Sequence, residues 1–510
     1  MKRQVYNPYL PLDRYIPDGE PHVFGDRVYV YGSHDKEGGN GFCLLDYEVF
    51  SAPLNDLTDW RSEGISYRAS QDPDYSAEKY YAMYAPDVVQ GNDGRFYLYY
   101  AMSGGCFTGP IHVAVSDSPA GPFNWYGCVR KPDGTPFSRN ITFDPAVIND
   151  EGTIRLYYGW SLSVEEDKLP GMVSEWTSKQ NNTPLYLTDP LVQAQKMLFD
   201  KSEEEIRTTP EGIMGANVVE LENDMLTVRG TPKRIVPGQF SAMGTSFEHH
   251  AFFEASSIRK IDSTYYFIYS SQLHHELCYA TSRYPDREFV YGGVIISNGD
   301  IGYQGRLPAD RVAMTGNNHG SIANLNGVWY IFYHRQTHKN CFSRQGCAER
   351  ITILPDGSVP QVEMTSCGLN GTPLKADGTY SAFLACNLSN GKMCDAEEKI
   401  PDLDVPYLTN DSADRFATQI GDGTIICWKY FSFDGESRLT ITLRGKAKGT
   451  LTAFAGDTEI GCLPVNLDSA EWQKCTMQPF SMTDVRALRL IYHGSGHLDL
   501  REVEFSSGRQ

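Results

Sequence analysis

The chain has 510 residues, 41% hydrophobic and 21% charged, which is enough for two or more globular domains. Its formal net charge of −19 argues against nucleic acid or an anionic membrane as a partner, because both attract basic patches. The sequence has no apolar run long enough to span a membrane, and no secretory signal is evident near the N-terminus. The twelve cysteines include no CxxC pair, so we expect reduced thiols and a cytoplasmic location.

One sequence figure recurs along the first two thirds of the chain: a short apolar run, a tight turn of Gly, Asp or Asn, and an aromatic-rich strand. In chain order it reads PHVFGDRVYVYGS from Pro21, VVQGNDGRFYLYYAMS from Val88, AVINDEGTIRLYYGWS from Ala146, SSIRKIDSTYYFIYSS from Ser256 and GSIANLNGVWYIFYHRQ from Gly320. Such turns between β-rich runs predict hairpins. Two further hairpins are predicted at VVELENDMLTVRG from Val218 and ITILPDGSVPQVEM from Ile351.

Five similar hairpins at intervals of roughly 60 residues predict an all-β fold, a five-bladed β-propeller. The one longer interval, residues 162–245, must hold an insertion beside its blade strands. A pair of β-sandwiches is the rival interpretation, but it gives no reason for five nearly equal repeats.

A polar residue stands at or just before the first strand of every hairpin. These residues are Asp18, Asp87, Asp144, Glu254 and His319. The innermost strands of a propeller line its central channel, so equivalent positions point toward one axis. We therefore expect these five side chains to converge on one small site.

Carboxylates gathered in a dry pocket take different pKa values, so one can stay protonated while another is ionised. Glu254 follows two phenylalanines and is the better candidate for a protonated acid, whereas Asp18, beside Gly19, suits an ionised base. An acid and a base that face each other across a bound sugar are what glycoside hydrolysis needs. Simpler roles stay open, since Asp87 could be a turn residue and His319 a buried histidine with ordinary hydrogen bonds.

Residues 5–365 resemble glycoside hydrolase family 43. The segment PDGEPHVFGDRVYVYGSHD resembles the opening hairpin of that family, which implies that Asp18 is the general base, with Glu20 in reserve. FDPAV resembles the motif whose aspartate orients the acid and modulates its pKa, here Asp144. FFEASSIRKIDSTYYFIYSS resembles the general-acid motif and implies that role for Glu254.

The segment NNHGSIANLNGVWYIFYHR resembles the part of the family that places a histidine, here His319, at the base of the site, often beside calcium or sodium. The resemblance implies a five-bladed propeller and hydrolysis with inversion. We expect Asp87, His319, Arg335 and His34 to bind substrate, and His319 to lie near any structural calcium or sodium ion. The chemistry itself should need no cofactor.

The repeat figure ends near residue 366. We predict a propeller over residues 1–366, a linker over 367–379 and a jelly-roll-like β-sandwich over 380–510. The C-terminal part resembles family 6 carbohydrate-binding modules. Trp428 and Trp472 could form a sugar platform, although core packing is favoured, and we expect a structural lid or a weak binder.

These features predict an exo-acting, inverting glycosidase that releases terminal α-L-arabinofuranose from oligosaccharides derived from hemicellulose. A β-D-xylosidase, or an enzyme with both activities, is the alternative, and the partners would be arabinose- or xylose-containing oligosaccharides. A non-catalytic sugar-binding propeller is a different class, but binding alone needs no acid of raised pKa. A protein-interaction propeller would lack converging acids.

Overall fold

A computed structural model describes residues 4–77, 81–102, 109–164, 187–199, 201–208, 214–396 and 404–507. Five antiparallel sheets, each made of strands that follow one another in the chain, confirm the predicted five-bladed propeller. No helix within the described ranges is both long and apolar enough to cross a bilayer.

The strands of the first two blades run from the channel outward in chain order. Blade 1 consists of β1 (Glu20–Phe24), β2 (Arg27–Tyr31), β3 (Tyr47–Pro53) and β4 (Arg61–Tyr67), and blade 2 of β5 (Asp87–Gln90), β6 (Phe96–Tyr100), β7 (His112–Ser116) and β8 (Asn124–Cys128).

The other three blades follow the same plan. Blade 3 consists of β9 (Ala146–Asp150), β10 (Thr153–Trp160), β11 (Gly215–Leu221) and β12 (Val228–Pro237), and blade 4 of β13 (Phe252–Ile261), β14 (Thr264–Ser271), β15 (Glu276–Ser282) and β16 (Val290–Ser297). Blade 5 has β17 (Ile322–Leu325), β18 (Val328–Gln336) and β19 (Arg344–Arg350). The long interval in blade 3 holds the helices α1 (Asp189–Phe199) and α2 (Glu203–Thr208), and α3 (Gln239–Ala242) follows β12.

The recurring hairpins pair at their predicted turns. The registers Phe24 with Arg27 and Leu325 with Val328 leave two-residue turns. The hairpin predicted from Val218 also forms, as β11 and β12. The one predicted from Ile351 is wrong, because residues 351–364 contain no strand. That segment has two prolines, which lack an N–H donor, and it runs between blades, where Val362 N–H donates to Ile295 O.

Five apolar layers, one between each pair of neighbouring blades, hold the propeller together. Because the middle strands are covered on both faces, they carry continuous apolar and aromatic residues, as in FYLYY of β6, where all five side chains are buried. Each fully buried large apolar side chain contributes about 1.5–3 kcal/mol. The aromatic-rich strands of the repeat therefore contribute strongly to the stability of the propeller.

A charged contact on the axis closes the ring. Arg259, in blade 4, donates to Glu20 Oε2 at 2.8 Å and to Pro21 O at 3.0 Å, both in blade 1. Its Nε also donates to Ile322 O in blade 5, at 3.1 Å. Glu20, the reserve candidate for the base, thus has one carboxylate oxygen held by the residue that joins three blades, and its buried Oε1 has no hydrogen-bond partner among the described residues.

The C-terminal domain is a network of ten strands around its own apolar core. They are β20 (Leu374–Lys375), β21 (Gly378–Ser381), β22 (Asn387–Ser389), β23 (Tyr407–Asn410), β24 (Arg415–Ile420), β25 (Ile425–Ser432), β26 (Gly435–Ala455), β27 (Thr458–Thr476), β28 (Phe480–Met482) and β29 (Val485–Ser507). The sheet begins inside the segment predicted as a linker, since Leu374 pairs with Phe431.

The two tryptophans of this domain have different surroundings. Trp428 is fully buried in the core, where its Nε1–H donates to Ser381 O at 3.1 Å. Trp472 is only partly buried, but the Arg444 guanidinium lies 4.2 Å from its ring centroid. Core packing therefore accounts for Trp428, and Trp472 has a cation over its ring.

Replacing Arg259 with Leu is expected to destabilise the propeller by about 3 kcal/mol, because it leaves the Glu20 carboxylate buried without its cation. The loss should be larger at pH 8 than at pH 5, since burying an ionised carboxyl is harder than burying a protonated one. The midpoint of urea unfolding measures it.

The matched control is Arg95→Leu, which removes an exposed ion pair with Asp93 and should change stability by less than about 1 kcal/mol. Equal shifts for the two variants would refute the closing role of Arg259.

Candidate active site

The backbone aims three carboxyl groups at the inner ends of the blades. Asp18 precedes β1 and Asp144 precedes β9, both with positive φ, at 58° and 42°. Glu254 lies in β13 at a bulge, where the register with β14 shifts on both sides of it. Bulges and left-handed residues re-aim side chains and recur beside active sites.

Asp18 is buried in a complete set of partners. Arg344 Nη1–H donates to its Oδ1 at 2.9 Å, and Ser33 Oγ–H donates to Oδ2. His334 Nδ1 accepts the Asp18 N–H at 3.3 Å and lies 3.2 Å from Oδ1. His334 Nε2–H donates to Asn317 O at 2.8 Å, which fixes the ring. The carboxylate is therefore held in one orientation.

A second carboxylate stands behind the first. Arg344 is 2% exposed, and it donates to Asp35 through Nε at 2.9 Å and through Nη2 at 3.0 Å. Its guanidinium thus bridges Asp35 and Asp18. Arg344, Asp35, Ser33 and His334 were not identified from the sequence, because none belongs to the recurring position.

Asp144 is joined directly to the segment that carries Glu254. Its Oδ2 accepts the N–H of Ala255, the residue after Glu254, at 2.9 Å. Glu254 itself interacts with the side chain of Asn317. Asp144 can therefore orient Glu254 through the backbone, the role predicted for it.

The pKa values of the three carboxyls are driven apart. Burial alone would raise the pKa of Asp18, but the charge of Arg344 outweighs it and holds that pKa well below its usual range. Burial, reinforced by the charge of Asp18, raises the pKa of Glu254 to about 7. Burial and the charges of Glu254 and Asp18 also raise the pKa of Asp144. The Asp144–Glu254 pair therefore keeps at least one proton beside an ionised Asp18.

His319 lies in the same site, with Nδ1 3.6 Å from Asp144 Oδ2. Burial lowers its pKa to about 4, so the ring is neutral at neutral pH. Its Nε2 is buried and has no hydrogen-bond partner among the described residues. That nitrogen is open to a substrate hydroxyl or to a water molecule.

Asp87 has a structural position at the axis. Its Oδ1 accepts from His22 Nε2 at 2.6 Å and from Val88 N at 2.7 Å, and its Oδ2 accepts from Val147 N at 2.7 Å. These bonds tie blade 2 to blades 1 and 3. The carboxylate is fully occupied by the protein, so its predicted contact with substrate has no support in this geometry.

The two remaining predicted substrate ligands lie away from the carboxyl cluster. Arg335 faces the C-terminal domain, where it donates to Ala385 O at 3.0 Å and also to Phe383 O. Side chains alternate along a strand, so its neighbour His334 faces the channel instead. The His34 ring is within hydrogen-bond distance of Asp46 O, at 2.9 Å, on the loop that follows β2. The structure does not bring either residue to Asp18.

Aromatic rings gather around Phe253, the residue before Glu254. The Phe253 ring stacks on His274 with centroids 4.2 Å apart and lies 6.0 Å from the Trp160 ring. Partly exposed aromatic faces next to a proton donor suit a sugar ring.

Three groups of described residues place metal-binding side chains close together, and none includes His319. They are His250 with Glu276 and Cys278, Glu20 with His22 and Asp87, and Asp72 with Asp74 and His112. The predicted calcium or sodium ion would have the open His319 Nε2 beside it, but hard cations prefer oxygen ligands. The residues present therefore fit only an ion surrounded largely by water, and that ion stays a prediction.

Comparisons with known proteins bear on the family and the fold of the chain. The family model described as glycosyl hydrolases family 43 matches residues 7–184. A xylosidase/arabinosidase of Thermoclostridium stercorarium is 40% identical over 521 aligned positions, which cover 98% of each chain. A xylosidase/arabinosidase of Bacteroides ovatus is 29% identical and covers 64% of this chain and 87% of that protein. The crystal structure of a GH43_1 enzyme of Xanthomonas citri has the same fold, with a TM-score of 0.50 at 23% identity, and covers 69% of this chain and 91% of that one.

Activity that depends on protonated Glu254 is expected to fall as the pH rises through about 7. Asp144 and Glu254 form a coupled pair, so each raises the pKa of the other when it is ionised. In Asp144→Asn no charge can form beside Glu254, so Glu254 should lose its proton at lower pH and the basic limb should move down. The pH dependence of kcat/KM on an aryl glycoside measures both. A basic limb that stays in place in a folded Asp144→Asn variant would remove Asp144 from this role.

Proposed function

The chain belongs to glycosyl hydrolases family 43, and on that premise we propose that it releases single terminal pentoses from oligosaccharides, α-L-arabinofuranose first. The observation that carries this proposal is a pair of contacts: Arg344 donates to Asp18 and favours its ionised form, and Asp144 accepts the N–H of Ala255, beside a Glu254 whose pKa is raised to about 7. This arrangement provides a base and an acid in one cluster of carboxyl groups.

In the proposed reaction, Asp18 takes a proton from a water molecule while that water attacks the anomeric carbon. Glu254 gives its proton to the glycosidic oxygen as the bond to the leaving group breaks. Arg344 keeps Asp18 ionised until it accepts the proton, and Asp144 keeps Glu254 in place. The chemistry needs no cofactor.

Inversion is part of the proposal. A water molecule fits between the base and the anomeric carbon when the two carboxyl groups are about 6.5–9.5 Å apart, and the product then has the opposite anomeric configuration. Exo action is supported by the depth of the site, because Asp18 and Asp144 are only 3% and 4% exposed. A chain end reaches such a depth more readily than the middle of a polymer.

The β-D-xyloside alternative has its own support, because the relative that is 40% identical over the full length is a xylosidase/arabinosidase. We propose arabinofuranoside preference with xyloside as a second substrate.

The test of substrate compares kcat/KM for 4-nitrophenyl α-L-arabinofuranoside and 4-nitrophenyl β-D-xylopyranoside. We expect the arabinofuranoside to be hydrolysed faster, and NMR of the first product should show the inverted anomer. The reverse order would make the enzyme a xylosidase first, and no turnover of either would overturn the proposal.

The test of the base compares Asp18→Ala with Glu20→Ala. Loss of a general base should lower kcat by on the order of 10²–10⁴-fold, with folding retained. Glu20→Ala should instead lower stability through the lost Arg259 contact and leave kcat of the folded protein nearly unchanged. An active Asp18→Ala together with an inactive, folded Glu20→Ala would move the base to Glu20.

A further inference from the structure

The C-terminal domain rests on two loops beside Asp18. The first rim loop, residues 32–46, follows β2, and the second rim loop, residues 337–343, follows β18. Arg415, in β24, pairs with Glu37 of the first rim loop at 2.9 Å and 3.1 Å. Leu408 O, in β23, accepts the N–H of His338 in the second rim loop at 2.7 Å.

These two rim loops carry the groups that hold the base. Ser33 and Asp35 belong to the first rim loop, and Arg344 directly follows the second. The loops are also tied to each other, because Ser343 Oγ accepts the N–H of Gly38 at 2.9 Å. A shift of either rim loop therefore moves the partners of Asp18.

Apolar contacts reinforce the connection. Phe42, in the first rim loop, packs edge to face on Phe342 of the second at 4.8 Å, and the Arg344 guanidinium lies 4.9 Å from the Phe42 ring centroid. The same apolar cluster contains Val405 and Tyr407 from the C-terminal side. The cation that holds Asp18 thus packs on a cluster that the C-terminal domain completes.

Glu37 is held in place by two hydrogen-bond donors. Its carboxylate accepts from Tyr15 Oη at 2.5 Å, as well as from Arg415. Tyr15 is 1% exposed, and its backbone O accepts the N–H of Asp35 at 2.9 Å. A continuous series of contacts therefore runs from Arg415 through Glu37, Tyr15 and Asp35 to the Arg344–Asp18 pair.

We propose that Arg415 is a positioning residue for hydrolysis: through Glu37 it braces the first rim loop, which keeps Arg344 and Asp18 in register. The C-terminal domain would then act in catalysis without touching the substrate. The inference rests on the proposed role of Asp18 as the base.

The exposure of this ion pair separates positioning from stability. The side chains of Arg415 and Glu37 are 26% and 25% exposed, and partly exposed pairs stabilise proteins by about 1 kcal/mol or less. Displacement of a catalytic group by about 1 Å can lower the rate by on the order of 10²-fold. An effect on kcat far larger than the effect on stability is thus the signature of a brace.

The experiment uses the full-length chain with Arg415→Ala, Glu37→Gln and the double variant, and Gln4→Ala as control. Gln4 also bridges the domains, with bonds to Tyr380 Oη at 3.1 Å and Lys375 N at 3.0 Å, but it touches neither rim loop. We expect kcat on the aryl arabinofuranoside to fall about tenfold in Arg415→Ala and about tenfold in Glu37→Gln. The double variant should fall no further, because the effects of coupled residues are not additive. KM and the urea midpoint should change little, and Gln4→Ala should keep normal kcat.

The acidic limb of the pH profile is the second readout. The charged and titratable groups that face Asp18 come from four blades: Arg344, His334 and His319 of blade 5, Glu254 of blade 4, Asp144 of blade 3, and Cys43 and Tyr47 of blade 1, with Asp35 on the other side of Arg344. If Arg344 is less well held, burial is no longer offset, Asp18 keeps its proton to higher pH, and the acidic limb moves up. The acidic limb should move in Arg415→Ala and Glu37→Gln and stay in place in Gln4→Ala.

Unchanged kcat and an unchanged acidic limb in Arg415→Ala would overturn the brace. A loss of kcat that matches the unfolded fraction would overturn it too, since the contact would then be only structural. Asp18→Ala is assayed in parallel: if it is inactive, a failed brace leaves the proposed function standing, and if it is active, the assignment of the base itself has failed.

Discussion

A guanidinium group almost sealed from water, with a carboxylate on either side, is the interaction on which the catalytic end of this propeller depends. An isolated buried cation is very unfavourable, and it persists only where carboxylates and hydrogen bonds replace its water. Asp35 and Asp18 provide that replacement for Arg344. The same bonds prevent Asp18 from becoming protonated, so the requirement for a buried cation and the requirement for an ionised base are met by one contact.

The protonation of Asp144 and Glu254 follows from the charges that surround Arg344. One cation faces two aspartates, so the neighbourhood of Arg344 already carries an excess negative charge before Asp144 and Glu254 are considered. Two more ionised carboxyls in a buried volume would repel each other and Asp18. Retention of a proton on the Asp144–Glu254 pair relieves that repulsion, and the bulge in β13 directs Glu254 to where the proton is useful.

The sequence was sufficient for the elements that repeat. Turns of Gly, Asp and Asn between aromatic runs predicted the blades. A polar residue at one repeat position predicted Asp18, Asp144, Glu254 and His319 as neighbours, with Glu254 as the acid and Asp18 as the base. Arg344 and Asp35 escaped because they lie 309 positions apart and meet only through the closed ring. Strand alternation explains why the structure brings His334 rather than Arg335 to Asp18, because pattern alone did not say which of two adjacent residues faced the channel.

The N-terminal segment has a consequence for biosynthesis. Asn7 donates to Ala348 O at 2.9 Å and accepts from Ala348 N at 2.9 Å, while Gly19 and Gly320 form an isolated parallel bridge. A ribosome releases these partners more than 300 residues apart, so the segment around Asn7 must wait for the fifth blade before the Asn7 side chain has its hydrogen-bond partners. Contacts of such long sequence separation form slowly and carry a large loop-closure entropy. The nascent chain therefore exposes an unfinished apolar edge for most of its synthesis, and that interval is when it most needs protection from aggregation.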